Sequence, residues 1–152
     1  GIAAPMVGLE MNLIYIDNSK VFENVPEEHR PDIFPSGTGL KTEMINARIL
    51  SEREPLEPSI EANLCFPGLE ITVDRPRSVE VEYQDLSGAK HRALFEGFDA
   101  RVILHELDHV NGVLFVDRLS PAKRAILAGK LRRIAGGETK PDYPMKWFKA
   151  KN

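Results

Sequence analysis

His105-Glu106-Leu107-Asp108-His109 sets two imidazoles and a carboxylate within five residues. On a helix, residues four apart share a face. Both rings then reach one metal ion, and Glu106 reaches a water beside it. A divalent ion lowers the pKa of such a water to about 7, and a neighbouring carboxylate takes its proton. That combination hydrolyses amide-like bonds. The competing reading is two ordinary histidines buried on a core helix. The chain has four His, and two of them flank a Glu at this spacing, which favours the metal.

The flanking residues predict the helix that positions this set. Asp99 is a good N-cap, and Phe98 is placed to staple onto Val102 or Ile103. The run Ala100-Arg101-Val102-Ile103-Leu104 is strongly apolar, as expected of a helix through the core. Asn111-Gly112 supplies the stop, because Gly accepts the left-handed conformation there.

Strands come before the helix. Leu13 to Ile16 reads as one, ended by Asp17-Asn18, and Glu43 to Leu50 as a second. Between them, residues 18–41 read as a long surface loop, and Glu52 to Pro58, with two prolines, as another. Leu69 to Val73 is a short strand that Pro76 limits. Ser78 to Tyr83 alternates as a half-buried strand. Asp85 to Gly88 turns the chain into a returning strand, His91 to Phe95, with His91 facing solvent. Ser120-Pro121 opens a last helix. Ile126, Leu127, Leu131 and Ile134 form its apolar stripe, and its other faces are basic. Those basic faces read as solvated; contact with RNA or a ribosome is the alternative. Gly136-Gly137 ends the helix, and residues 138–152 form a polar tail with Trp147 and Phe148. Strands first and helices last give an α+β fold: a mostly antiparallel sheet around a central H-E-x-x-H helix, with a C-terminal helix.

Bulk properties narrow the field. The chain of 152 residues is long enough for one domain with a sizeable core. A net charge of -3 gives no reason to expect a DNA partner. One cysteine, Cys65, excludes an intrachain disulfide and fits a reducing compartment. No apolar run has membrane-spanning length, and no signal segment is recognisable. Gly1-Ile2-Ala3-Ala4-Pro5-Met6 reads as a tight, packed loop.

Three stretches together resemble the peptide deformylase family, which removes the formyl group from N-formylmethionyl peptides. Gly1 to Met6 matches the second half of the family's G-x-G-x-A-A-P-Q motif. Glu61 to Cys65 lies in register with E-G-C-L-S, and His105 to Gly112 matches H-E-x-x-H-x-x-G in full. Leu114-Phe115-x-Asp117-x-Leu119-Ser120 also follows the family pattern. The resemblance implies a deformylase-like metallohydrolase domain over residues 1–137, without the N-terminal helix and the strand that family members carry before the first motif, followed by the tail at 138–152. It implies one divalent ion, Fe2+ by family habit, with Zn2+, Ni2+ or Co2+ as ions that the same imidazoles accept. It also implies a cytoplasmic bacterial or an organellar location rather than secretion, and no membrane partner.

In that pattern His105 and His109 are metal ligands and Glu106 is the proton carrier. The backbone N–H of Leu64 meets the oxygen that becomes negative in the transition state. Gly1 lies beside the substrate backbone, and Val102 lines the pocket for the methionine side chain. Two positions depart from the pattern. The family's cysteine ligand position holds Asn63, while Cys65 stands where the serine should be. Thiolate is the better ligand for such metals. In an extended strand the two residues share a face, about 6.6 Å apart, so a bulge would let Cys65 complete the site; Cys65, Asn63 or a water remains open as third ligand. Met6 stands where the family has a glutamine that donates to the same oxyanion. Removing one such donor costs about 10²–10³ in rate. These departures keep a second reading alive: a deformylase-like protein that binds metal or formyl-peptide without turnover. A small metalloprotease is the third, weakened because no His follows His109.

Overall fold

The computed structural model describes residues 1–146; Trp147 and Phe148, expected in the polar tail, lie outside the described residues. Alternation builds the sheet. In β2, Leu13–Asp17, Ile14 and Ile16 turn inward and are fully buried, while Tyr15 and Asp17 face out. β1, Ile2–Ala3, pairs antiparallel with it, setting Ile2 opposite Tyr15 and Ala3 opposite Ile14. β3 spans Lys41–Ala62, β4 Glu70–Gln84 and β5 Lys90–Glu96, and the sheet order is β1-β2-β3-β4-β5. Val79 and Val81 of β4 are fully buried, as their alternation requires. At the β4–β5 turn Asp85 Oδ1 accepts from Ser87 N, Ser87 Oγ and Ala89 N.

The sheet departs from expectation at its prolines. The stretch expected as a loop at Glu52–Pro58 is part of β3, and Pro76 sits inside β4 rather than limiting it. Proline is excluded only where a ladder bond needs its N–H. β2 covers β3 only at residues 41–45, and β5 begins to pair with β4 only at Ser78. One edge of each strand is therefore uncovered where the prolines fall.

Residues 18–40 are not the plain surface loop expected. They hold α1, Ser19–Asn24, and α2, Arg30–Ile33. Phe34 after α2 is fully buried and meets Phe22 and Phe98 edge-on, each at 5.4 Å between ring centroids. Phe98 lies inside the helix that begins at Gly97, not ahead of its cap as a staple requires, and its ring meets Phe34.

That helix, α3, spans Gly97–Val110. It begins earlier than expected, and the cap is not Asp99: Glu96 is at the N-cap, with no side-chain bond. Gly97, at φ +59, permits the entry. A Cβ there would stand 2.5 Å from the Ile33 carbonyl oxygen, so no other residue fits without displacing backbone. Asp99 is buried and serves the preceding loop instead. Its Oδ1 accepts from Asn18 Nδ2 at 2.8 Å and Leu40 N at 3.2 Å, and its Oδ2 from Ser36 Oγ at 3.3 Å.

The chain divides into two compact units. The first, Gly1–Pro58 with Asp74–Leu114, has α3 packed against β1, β2 and β5, with Ile103, Leu104 and Leu107 in its core. The second, Ser59–Val73 with the chain from Phe115 onward, is built on α4, Pro121–Ala135. Ser120 caps α4 by accepting from Lys123 N, as its sequence predicts. Leu127, Leu131 and Ile134 bury its apolar face with Phe115 and Ile71. Ile126, expected on that stripe, is 82% exposed; it lies one residue, about 100° of helix, away from Leu127.

Asp99→Ala removes the acceptor of three donors, one of them buried, and is expected to cost about 3 kcal/mol in urea unfolding. Faster proteolysis within 18–40 should accompany it. A loss below about 1 kcal/mol would show that the loop is held by Phe34 alone.

Candidate metal centre

α3 does what the five-residue spacing asks. His105 and His109 lie one turn apart with ring centroids 5.1 Å apart and planes at 71°. His109 is buried and His105 half-buried. Burial depresses the His109 imidazole to about 4; the neighbouring His105 and Arg75 add to this and Asp108 opposes it. His109 is therefore neutral near pH 7, the form that donates a lone pair to a metal.

Glu106 is 4% exposed, and its Oε2 is buried with no hydrogen-bond partner. Burial pushes its carboxyl up from the ordinary carboxylate range, while His105 and Arg75 pull the other way. A buried acceptor left without a donor is uncommon in a folded protein and needs a reason. A proton or a water delivered to Oε2 supplies one. Two imidazoles one helical turn apart and an unsatisfied carboxylate oxygen beside them are a donor set that fits a divalent ion and its water. Among the described residues no three His, Cys, Asp or Glu side chains gather as a metal site, so His105 and His109 are the donors the geometry itself assembles.

Gly1 and Val102 join this cluster. A Cβ on Gly1 would fall 2.6 Å from Glu106 Oε1 and 2.9 Å from Val102 Cγ1. The backbone at Gly1 thus lies close to the carboxylate, and a side chain there would have to displace Glu106 and Val102. Met6 lies in a 3-10 turn, Ala4–Val7, and packs partly buried on the same apolar core as Val102. It has no donor to offer.

Asn63, Leu64 and Cys65 belong to the second unit, and there the local expectation fails. Residues 63–65 are a turn following β3, not an extended strand. Asn63 Oδ1 accepts from Cys65 N at 2.7 Å, and the Asn63 carbonyl accepts from Phe66 N at 2.9 Å. This is an Asx turn, which Asn favours because its side chain mimics a backbone acceptor. The shared-face argument for residues 63 and 65 therefore does not apply.

Sequence reasoning missed Arg75. It is 1% exposed, and its Nη1 donates to Asp108 Oδ2 at 2.9 Å. A signal was present: Ile71, Val73 and Arg75 share the inward parity of β4. Asp108, between Leu107 and His109, is thereby tied to the strand, and with it the last turn of α3.

A sequence profile of the polypeptide deformylase family matches residues 1–125. The chain is similar to the peptide deformylase of Flavobacterium johnsoniae, 35% identical over 99% of this chain and 76% of that one. It is 38% identical to that of Cytophaga hutchinsonii, over 97% and 74%. Among solved structures it is similar to Arabidopsis thaliana peptide deformylase 1B in complex with an inhibitor, at TM-score 0.73 and 28% identity, covering 90% of this chain and 68% of that one. The Synechococcus elongatus peptide deformylase in complex with actinonin gives TM-score 0.70 and 35% identity, covering 92% and 68%.

Arg75→Leu leaves the Asp108 carboxylate buried without its ion pair and is expected to cost about 3–5 kcal/mol in chemical unfolding. Arg75→Leu combined with Asp108→Leu should recover most of that loss. A double variant as unstable as the single one would mean that Arg75 acts by packing rather than by charge.

Proposed function

The chain belongs to the polypeptide deformylase family and is a deformylase-type hydrolase, and from that premise we propose that it removes the N-formyl group from formylmethionyl peptides of nascent proteins. The single observation that carries the reading is Glu106 Oε2, buried and unsatisfied next to the His105–His109 pair. The family is metal-dependent. The two imidazoles would hold one divalent ion, Fe2+ on the family pattern, with Cys65, Asn63 or a water completing its shell. When bound, such an ion supplies Lewis acidity, lowering the pKa of water to about 7 and polarising a carbonyl.

The chain's own residues do the rest. Glu106 Oε2 takes the proton of the attacking water and returns it to the amine nitrogen as the formyl C–N bond breaks. The products are formate and a free amino terminus. Leu64 N–H steadies the oxygen that becomes negative, with Met6 in the place of the family's second donor. Gly1 runs beside the substrate backbone, close against Glu106 and Val102. Val102, on the same helix face, lines the pocket for the methionine side chain. Relatives from bacteria and a plant support a bacterial cytoplasm or an organelle as the compartment. A ribosome contact through α4 has less basic surface to use than the sequence suggested: Arg124 pairs with Asp117 at 2.7 Å and Lys130 donates to the Gly68 carbonyl.

A second reading, metal or formyl-peptide binding without turnover, draws on two observations: Met6 packs as an apolar residue, and the Asn63 amide oxygen is engaged by Cys65 N–H. Deformylation of a formylmethionyl peptide by Fe2+- or Co2+-loaded protein separates the two. Turnover supports the first reading; metal bound without turnover supports the second.

In the active protein, Glu106→Gln should keep one metal per chain and lose turnover, whereas His109→Ala should lose the metal in elemental analysis. Retained turnover in Glu106→Gln would remove Glu106 from the chemistry. Cys65→Ser with full metal occupancy would remove Cys65 from the ligand set.

A further inference from the structure

We infer that Tyr143 is a positioning residue for the turn Asn63–Phe66, gripping the peptide plane between Leu64 and Cys65. The consequence for catalysis rests on the deformylase reading; the grip itself is geometric. Within the turn, Asn63 Oδ1 accepts from Cys65 N and the Asn63 carbonyl from Phe66 N. These two bonds fix the turn's internal shape and leave its orientation on the second unit to other contacts. Phe66 is held on one side by Phe115, at 5.1 Å between ring centroids. Leu64 on the other side is 58% exposed, so its side chain anchors little.

There the chain beyond α4 returns. Tyr143 Oη donates to the Leu64 carbonyl at 2.7 Å. A peptide group is planar, so its C=O and N–H move together. The Leu64 carbonyl and the Cys65 N–H belong to one such plane. Tyr143 holds the plane at its oxygen, and Asn63 Oδ1 holds it at its nitrogen. Rotation of that plane is therefore blocked from both ends. The two groups the proposed chemistry takes from this turn are attached to the plane on either side: the Leu64 N–H through the Leu64 Cα, and the Cys65 thiol through the Cys65 Cα. Lys130 Nζ, from α4, donates to the Gly68 carbonyl and adds a second external hold further along. A pocket of about 280 Å³ is lined by Asn63, Leu64 and Phe66 of the turn and by Tyr143, and the phenol bond joins Tyr143 to the turn beside it.

The test is Tyr143→Phe, which keeps the ring and deletes the donor. Amide hydrogen exchange in metal-free protein should quicken at Cys65 and Phe66 by about 3- to 10-fold, as loss of one hydrogen bond implies. Exchange within α4 should stay as it was. In the metal-loaded enzyme kcat should fall by about the same factor at unchanged KM and unchanged metal content, the signature of an interaction used in the transition state alone. A merely structural role would lower the melting temperature and the active fraction without that split between kcat and KM. Unchanged exchange at Cys65 and Phe66 would overturn the grip. Quickened exchange with unchanged kcat would overturn its catalytic role. Absence of turnover in the unaltered protein would sink the deformylase reading, and the exchange measurement would still decide the grip.

Discussion

A helix that carries Asp99, Glu106, Asp108 and His109 into the interior must find a partner for each, because a buried charge or lone pair without one costs several kcal/mol. This requirement organises the first unit. Asp99 draws in Asn18, Ser36 and Leu40 and so orders the segment between β2 and β3. Asp108 draws in Arg75 from β4. Only at Glu106 does an oxygen stay unmatched, and it does so beside two imidazoles. The polar groups of α3 thus divide into those that the protein satisfies and the one it leaves for something else.

Arg75 has a further effect through its field. Among the described residues it is the largest fully buried side chain; burial dominates at both Glu106 and His109, and the Arg75 charge adds a smaller downward pull on each. That smaller pull favours the ionised carboxylate at Glu106, against burial, and the neutral imidazole at His109, with burial. The same charge would be costly without Asp108, so the ion pair is better understood as the condition for having that field than as a source of stability.

Much of the site was legible because its information is local. The i, i+4 spacing fixed the His pair, and Ser120-Pro121 and Gly136-Gly137 fixed the ends of α4. Strands showed where alternation was strict, as at Val79 and Val81. What failed depended on distant partners. Asp99 has the residue type of a cap, but its real ligands lie about 60 to 80 positions earlier in the chain. Phe98 has the staple position only if Asp99 is the cap; with Glu96 at the N-cap it lies inside α3, and its ring meets Phe34. Pro55, Pro58 and Pro76 signal breaks only if the neighbouring edge is occupied, which the residues around them do not reveal. Asn63 was judged as a ligand and not as a turn former, although its short amide serves the second role well.

The prolines of β3 have one more effect. In a regular strand, successive N–H groups point to opposite edges, so one of Pro55 and Pro58, an odd number of positions apart, removes a donor from the edge that β2 leaves uncovered. Arg53, Glu54 and Glu57 add charge along the same stretch. A second chain approaching this edge finds an interrupted and charged template, so the longest strand of the protein is a poor seed for intermolecular aggregation.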